Sequence, residues 1–234
     1  MAFTGFRPSQ PWLLYFTAGV VALSSGGTVR GHPRWVTHME LATLGSTFLP
    51  ALTVLAIGAF ADRVLEGYTR PLVACGGAIL AGLTVLAEYH AVDQESRVYG
   101  AVRIVLAVAI YATAFGVFGV MFQGDIDLVI SVLAIGFASW LLATSLLREG
   151  GSVGEEAFLA GLAVGISVAE LRAILYFLPI EGVLGGAILL VGFHVAAGIV
   201  HHLLDRDLSV GTVAEYATVM VAAVAAVVTA GVVD

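Results

Sequence analysis

Two charged residues, Glu170 and Arg172, lie inside a long apolar run of the sequence, residues 157–180. A run of this length can cross a lipid bilayer, where each charge near the centre costs roughly 2.5–3.5 kcal/mol. Residues two apart on an α-helix point about 200° from one another, so these charges cannot neutralise each other well. We therefore expect each charge to have its own partner, and we interpret the two residues as the best candidates for an intramembrane site.

Two further residues complete the predicted pocket. Tyr176 follows Arg172 by one helical turn, which places it within reach of the guanidinium. His194 lies close to the middle of the next apolar run, residues 182–204, and a neutral histidine can relay protons. Together with Glu170, these residues predict a polar pocket for a small solute or ion.

A second pair of charges, Glu88 and Arg103, flanks the short connection at residues 93–97. Each lies about four or five residues inside its apolar run, which corresponds to a depth of about 6–8 Å. Because the short connection makes the two helices antiparallel neighbours, the spacing predicts a buried ion pair. Such a pair serves either as a clamp on the helical hairpin or as one wall of a polar site.

Three more polar residues, Glu40, His201 and Glu215, lie about one turn inside the predicted cytoplasmic ends of their runs. They could form an inner polar cluster with the Glu88 and Arg103 pair. The alternative is that their side chains extend to the membrane interface, as long polar side chains near helix ends do.

The residue types also bear on cofactors. All ten basic residues are arginine, and a retinal Schiff base requires a lysine amine, so a covalent retinal is excluded. His194 and His201 share one helical face, but the sequence offers no matching histidine pair elsewhere, so neither haem nor metal is expected. The net charge of −7 argues against nucleic acid as a partner, since phosphate contacts need basic clusters.

The elements that must position these residues are apolar helices. The chain is 59% hydrophobic and 12% charged, against about 25% charged residues in soluble domains. The sequence therefore predicts an all-α, polytopic membrane helix bundle, a single integral-membrane domain over residues 1–234. Eight apolar runs are predicted to cross the membrane, or seven if the first and weakest does not. They are residues 12–29, 35–60, 71–92, 98–122, 126–147, 157–180, 182–204 and 209–233.

Arginines in the connections predict the orientation, because cytoplasmic loops carry an excess of positive charge. With eight spans, one side of the membrane holds five loop arginines and the other side holds three. The richer side carries Arg30, Arg34, Arg97, Arg148 and Arg206, and the poorer side carries Arg7, Arg63 and Arg70. The sequence thus predicts a protein of the cell membrane with its C-terminus outside.

Several short motifs recur in a known group of proteins. They are Leu49-Pro50-Ala51-Leu52, Glu88 followed by Arg103, Ala169-Glu170 with Phe177-Leu178-Pro179, His202, and Glu215-Tyr216. In these the chain resembles an uncharacterised group of bacterial multi-pass membrane proteins, defined only as a domain of unknown function, over roughly residues 49–216. The resemblance implies one recurring polar framework of Glu88, Arg103, Glu170 and Glu215, and it implies no activity. Leu178 departs from the aromatic residue expected before the proline, and Arg172 has no counterpart.

Three functions remain open on the sequence alone. The first is a membrane protein whose internal polar pocket binds or conducts a small solute or ion. The second is a structural, accessory or assembly subunit, in which every buried charge has a protein partner and only fixes helix packing. The third is a lipid- or pigment-handling protein or enzyme with a groove open to the bilayer. The expected partners are the lipid bilayer, a small solute or ion, and further copies of the chain.

Overall fold

The computed structural model describes residues 11–31, 40–93, 97–123, 126–149, 154–178, 180 and 182–232. Every regular element in these ranges is an α-helix, and no strand occurs among them. The helices are α1 (Pro11–Arg30), α2 (Glu40–Arg63), α3 (Thr69–Ala91), α4 (Tyr99–Phe122), α5 (Leu128–Glu149), α6 (Gly154–Leu175), α7 (Gly182–Leu204) and α8 (Val210–Val232). The predicted all-α fold is confirmed.

Within the described part of the chain, six helices are long and apolar enough to cross a membrane. They are α1 and the five consecutive helices α3 to α7. The described part of α8 adds a shorter apolar helix over Val210–Ala226. This arrangement fits the predicted multi-pass helix bundle.

The sixth helix differs from its predicted span, because it begins at Gly154 and ends at Leu175 instead of covering residues 157–180. Pro179 has no N–H to donate and disfavours helical geometry in the residue before it, so the helix ends earlier in the chain. Arg172 consequently lies in the last turn of α6.

The chain forms two compact units, Met1–Gly116 and Val117–Asp234, and each is described by itself. The single domain expected from the sequence stays a prediction. In the first unit, α1, α2 and α3 pack against one another. Their core contains Leu14 and Ala18 of α1, Val54 of α2 and Ala81 of α3.

Helix α4 contacts α2 within the same unit through small and polar residues. The hydroxyls of Thr53 and Thr113 are 2.8 Å apart and share a hydrogen bond, and both side chains are fully buried. A Cβ atom at Gly116 would lie 3.1 Å from the carbonyl carbon of Ala56, so glycine allows the two backbones to approach closely.

In the second unit, α5 and α6 share the most extensive helix pairing, and glycines make it close. A Cβ atom at Gly165 would lie 2.7 Å from the carbonyl oxygen of Gly136 and 2.9 Å from Cβ of Trp140. The Trp140 indole donates a hydrogen bond of 3.0 Å to the Phe158 carbonyl, and the two rings lie 4.7 Å apart. The indole N–H is thereby satisfied inside the apolar contact.

Replacing Gly165 with alanine should lower the melting temperature of the detergent-solubilised protein. The added methyl group meets the backbone of α5, and such overpacking typically costs about 1–3 kcal/mol. Gly82→Ala is the matched control, because nothing lies within 4 Å of its Cβ position. The control should gain from the better helix propensity of alanine. Equal melting temperatures for the two variants would contradict the close packing of α5 and α6.

Two glycines four residues apart in α7 serve different purposes. Gly182 begins the helix with φ +61°, in the left-handed region that favours glycine, and nothing lies within 4 Å of its Cβ position. Gly186 instead lies against α4, where a Cβ atom would come within 2.8 Å of the Gly119 backbone nitrogen. The end of α4 and the start of α7 therefore touch through their backbones.

Candidate functional site

Among the described residues of the second unit, Arg172 is a buried cation. Its side chain is 6% exposed, and its guanidinium carbon lies 4.3 Å from the centroid of the Phe122 ring. The Nε atom is buried and has no hydrogen-bond acceptor among the described residues. A buried donor without an acceptor costs about 1–3 kcal/mol, and more when the group is charged. Among the residues that the structure describes, the geometry therefore leaves this donor unsatisfied beside the Phe122 ring.

Phe122 connects Arg172 to the start of α7. The ring is held over Gly185, in the space that a Cβ atom at this position would occupy. Gly185 belongs to the first turn of α7, and this turn contains no acidic residue. The N-terminus of a helix carries unpaired N–H groups and a partial positive charge. The Phe122 ring thus contacts both a buried guanidinium and the first turn of a helix.

The other predicted pocket residues of α6 lie elsewhere. Glu170 is exposed, whereas Arg172 is buried, which agrees with their two-residue spacing on the helix. Ile166 and Ile174 are exposed on the same face as Glu170. Tyr176 is 56% exposed, and its backbone N–H donates a hydrogen bond of 3.2 Å to the Arg172 carbonyl. Of the four predicted pocket residues, Arg172 alone is buried.

The charged residues of the first unit include one pair that the sequence analysis missed. Arg70, in the first turn of α3, forms an ion pair with Asp62 near the end of α2. This pair ties the two ends of the α2–α3 connection together. Glu88 is 8% exposed and Arg103 is exposed, and the ion pair between them stays a prediction.

Helices α7 and α8 bring three titratable rings together. The Tyr216 ring of α8 lies over Gly198 of α7, where any side chain would overlap its hydroxyl. One turn earlier on α7, the His194 ring centroid is 5.9 Å from that of Tyr216. One turn later, the His202 centroid is 6.1 Å away. Because Gly198 has no side chain, the Tyr216 ring can lie between the two histidine rings.

The end of α7 adds a carboxylate to these rings. Arg206 has φ +58°, its N–H bonds to the Leu203 carbonyl, and the Asp207 N–H bonds to the His202 carbonyl. These bonds and the left-handed residue define a Schellman motif, which usually has glycine at the position of Arg206. The motif places Asp207 beside His202, and the Asp207 carboxylate oxygen is 2.9 Å from Nδ1 of the imidazole.

The structure describes the side chains of two of the three residues predicted for the inner polar cluster, His201 and Glu215. Nε2 of His201 lies 3.5 Å from Asp205, and its Nδ1 is buried without a partner in the described chain. Glu215 is exposed on α8. Glu40 is the first residue of α2, and its side chain lies outside the described part of the structure. The cluster of these three residues therefore stays a prediction.

The residues that complete both arrangements escaped the sequence analysis. Phe122 is one of twelve phenylalanines and ends an apolar helix, so nothing in its local sequence marks it. Tyr216 appeared only within a family motif. Asp207 could have been found, because an aspartate five residues after His202, beyond a predicted helix end, can reach back to the last turn.

The long apolar helices define a polytopic helical membrane protein, and Arg172 is a buried cation at the end of one of them. The chain belongs to the family described as protein of unknown function DUF5656, whose family model matches residues 3–230. The match covers nearly the whole chain and confirms the resemblance to an uncharacterised family. No curated protein and no solved structure matches the chain.

Proposed function

We propose that the protein binds a small anionic solute at Arg172 and holds or moves it within the membrane. The observation that carries this proposal is the buried Nε donor without an acceptor among the described residues. Ionisable groups inside membrane helices usually face a partner or a pathway for polar solutes. An anionic group would supply the acceptor that Nε lacks among the described residues.

The contact with Phe122 supports an anion of carboxylate or phosphate type. The guanidinium carbon lies over the ring at 4.3 Å. A guanidinium that stacks on an aromatic face keeps its N–H donors at its edge, in a fork that matches two oxygens of a carboxylate or phosphate. The first turn of α7 adds the positive end of a helix dipole near the same ring, and such ends favour anions.

The second candidate is a structural or accessory subunit. Its support is the position of Arg172 in the last turn of α6, where a cation interacts favourably with the C-terminal end of the helix dipole. That reading expects every buried charge to have a protein partner, and the Nε donor of Arg172 counts against it. The third candidate, lipid handling, would place a lipid phosphate at the same guanidinium.

The proposal includes a location and an orientation. In the part of the chain that the structure describes, six apolar helices fit a multi-pass membrane protein. We propose the cell membrane as its location, with the C-terminus outside, on the distribution of loop arginines. Cysteine labelling of a terminal tag in intact cells tests this orientation, since only an outside terminus reacts with an impermeant reagent.

Binding of inorganic phosphate and of succinate to the delipidated protein tests the anion site. Arg172→Gln should weaken binding by roughly 30-fold or more, since each hydrogen bond to a charged group contributes about 1.5–3 kcal/mol. Arg148→Gln is the matched control, because Arg148 occupies the last turn of α5 and loses the same dipole interaction. Its affinity should equal that of the wild type.

The outcomes separate the three functions. Wild-type binding that Arg172→Gln leaves unchanged contradicts the anion site. Absence of binding to either probe favours the structural role. Binding of phosphatidylglycerol in nanodiscs, lost in Arg172→Gln while neither soluble anion binds, favours lipid handling.

A further inference from the structure

We infer that helices α7 and α8 conduct protons, along a line formed by Asp207, His202, Tyr216 and His194. The line is independent of the anion site proposed at Arg172. It begins with an exposed carboxylate after the end of α7 and reaches a histidine near the middle of that helix. The distance from His202 to His194 along the helix is about 12 Å.

The first two members form a dyad that can accept a proton. The Asp207 oxygen lies 2.9 Å from Nδ1 of His202, and the two side chains are 59% and 31% exposed. In a neutral imidazole, one nitrogen donates and the other accepts. With Nδ1–H donating to the carboxylate, Nε2 of His202 keeps its lone pair and takes up a proton from water.

Tyr216 carries the proton inward. Its hydroxyl lies over Gly198, and its ring is about 6 Å from both histidine rings, 6.1 Å from His202 and 5.9 Å from His194. A phenol both donates and accepts hydrogen bonds. It receives the proton of the His202 imidazolium on its oxygen and releases its own proton to His194. One proton enters at His202 and one passes to His194, so Tyr216 returns to its neutral form and the dyad returns to a neutral imidazole beside a carboxylate.

Other titratable groups lie on α7 and α8 and on helix α6. Beside it, His201 lies 3.5 Å from Asp205, and Glu215 is exposed on α8. Helix α6, which also packs against α7, contributes Leu171 against Gly192, and its Glu170 is exposed. The Tyr216 ring lies where α7 and α8 meet, with one histidine ring on either side, and His194 is exposed on α7. Histidine chains inside membrane helices typically serve as proton relays.

Proton flux into liposomes containing the full chain tests the inference. Vesicles loaded with pyranine, in potassium gluconate and with valinomycin to set the potential, report the rate at which protons enter. The wild type should exceed protein-free vesicles. Tyr216→Phe keeps the ring over Gly198 and removes only the hydroxyl, so it should fold normally and lower the flux at least tenfold. His194→Gln should have a similar effect.

Two control variants separate this line from other sites. Tyr68→Phe changes a fully exposed tyrosine in the α2–α3 connection and should leave the flux unchanged. Arg172→Gln should also keep the flux, because the anion site and the proton line are separate. Wild-type flux equal to that of protein-free vesicles would overturn the inference. Equal flux for Tyr216→Phe and wild type would overturn it as well.

Discussion

Leucine in place of Gly186 should lower the apparent melting temperature of the protein by roughly 10 °C. A Cβ atom at this position would lie 2.8 Å from the backbone nitrogen and 2.9 Å from the Cα atom of Gly119. Backbone atoms cannot move aside as a flexible side chain can, so α4 and α7 must separate. We expect a loss of about 3 kcal/mol, the upper part of the range for overpacked cores.

The measurement is fluorescence-detected size-exclusion chromatography of heated, detergent-solubilised samples. Gly82→Leu provides the control, because Gly82 is an exposed glycine of α3 with nothing within 4 Å of its Cβ position. It receives the same side chain without a clash and should melt at or above the wild-type temperature. If both leucine variants melt at the wild-type temperature, the backbone contact between Gly119 and Gly186 is not present in the folded protein.

These glycines show how far the sequence predicts the packing. Repeated glycines at four-residue spacing in α6 and α7 indicate close helix contacts, and Gly161 and Gly165 lie against α5 as such a motif implies. The spacing cannot tell Gly182, which adopts a left-handed turn, from Gly186, which packs. Gly185 lies outside the motif, and its role depends on a phenylalanine from a distant helix.

For the charged residues too, the sequence predicts local geometry but not the contact partners. The two-residue spacing of Glu170 and Arg172 is enough to assign them to different helical faces, since helix geometry is local. Which face is buried depends on the neighbouring helices, and the structure buries Arg172. The sequence predicted the connection between α2 and α3 but did not predict the ion pair that Asp62 and Arg70 form across it. Long-range contacts of this kind have no periodicity in the sequence.

The histidines of α7 could be predicted in part: their spacing along the helix is local, but their contact partners are not. Their positions on α7 predict that His194 and His202 lie within two turns or so of each other along the helix axis. The tyrosine between them, Tyr216, belongs to α8, and it fits there because Gly198 has no side chain. The partner aspartate is set by the Schellman motif after Leu203, which requires the left-handed backbone of Arg206. A non-glycine residue in that conformation is uncommon, so the motif could not be predicted from the residue types alone.

Methionine in place of Arg172 should leave the protein at least as stable as the wild type and abolish binding of phosphate and succinate. An apolar side chain of similar length fills the space and removes a buried donor that lacks an acceptor among the described residues. Replacing buried charges with well-packed apolar groups is often neutral or stabilising by about 1–4 kcal/mol. A site kept for binding rather than for stability should behave in this way.

A double-mutant cycle with Phe122→Ala measures what the ring contributes to this cation. Phe122→Ala alone removes packing over Gly185 and uncovers the guanidinium, so it should cost about 3–5 kcal/mol. In the Arg172→Met background the cation–π part of that loss, about 1–2 kcal/mol, is absent. Chemical unfolding in detergent gives the four stabilities. If Arg172→Met is instead destabilised by several kcal/mol, Arg172 holds the helices together and the scaffold role replaces the anion site.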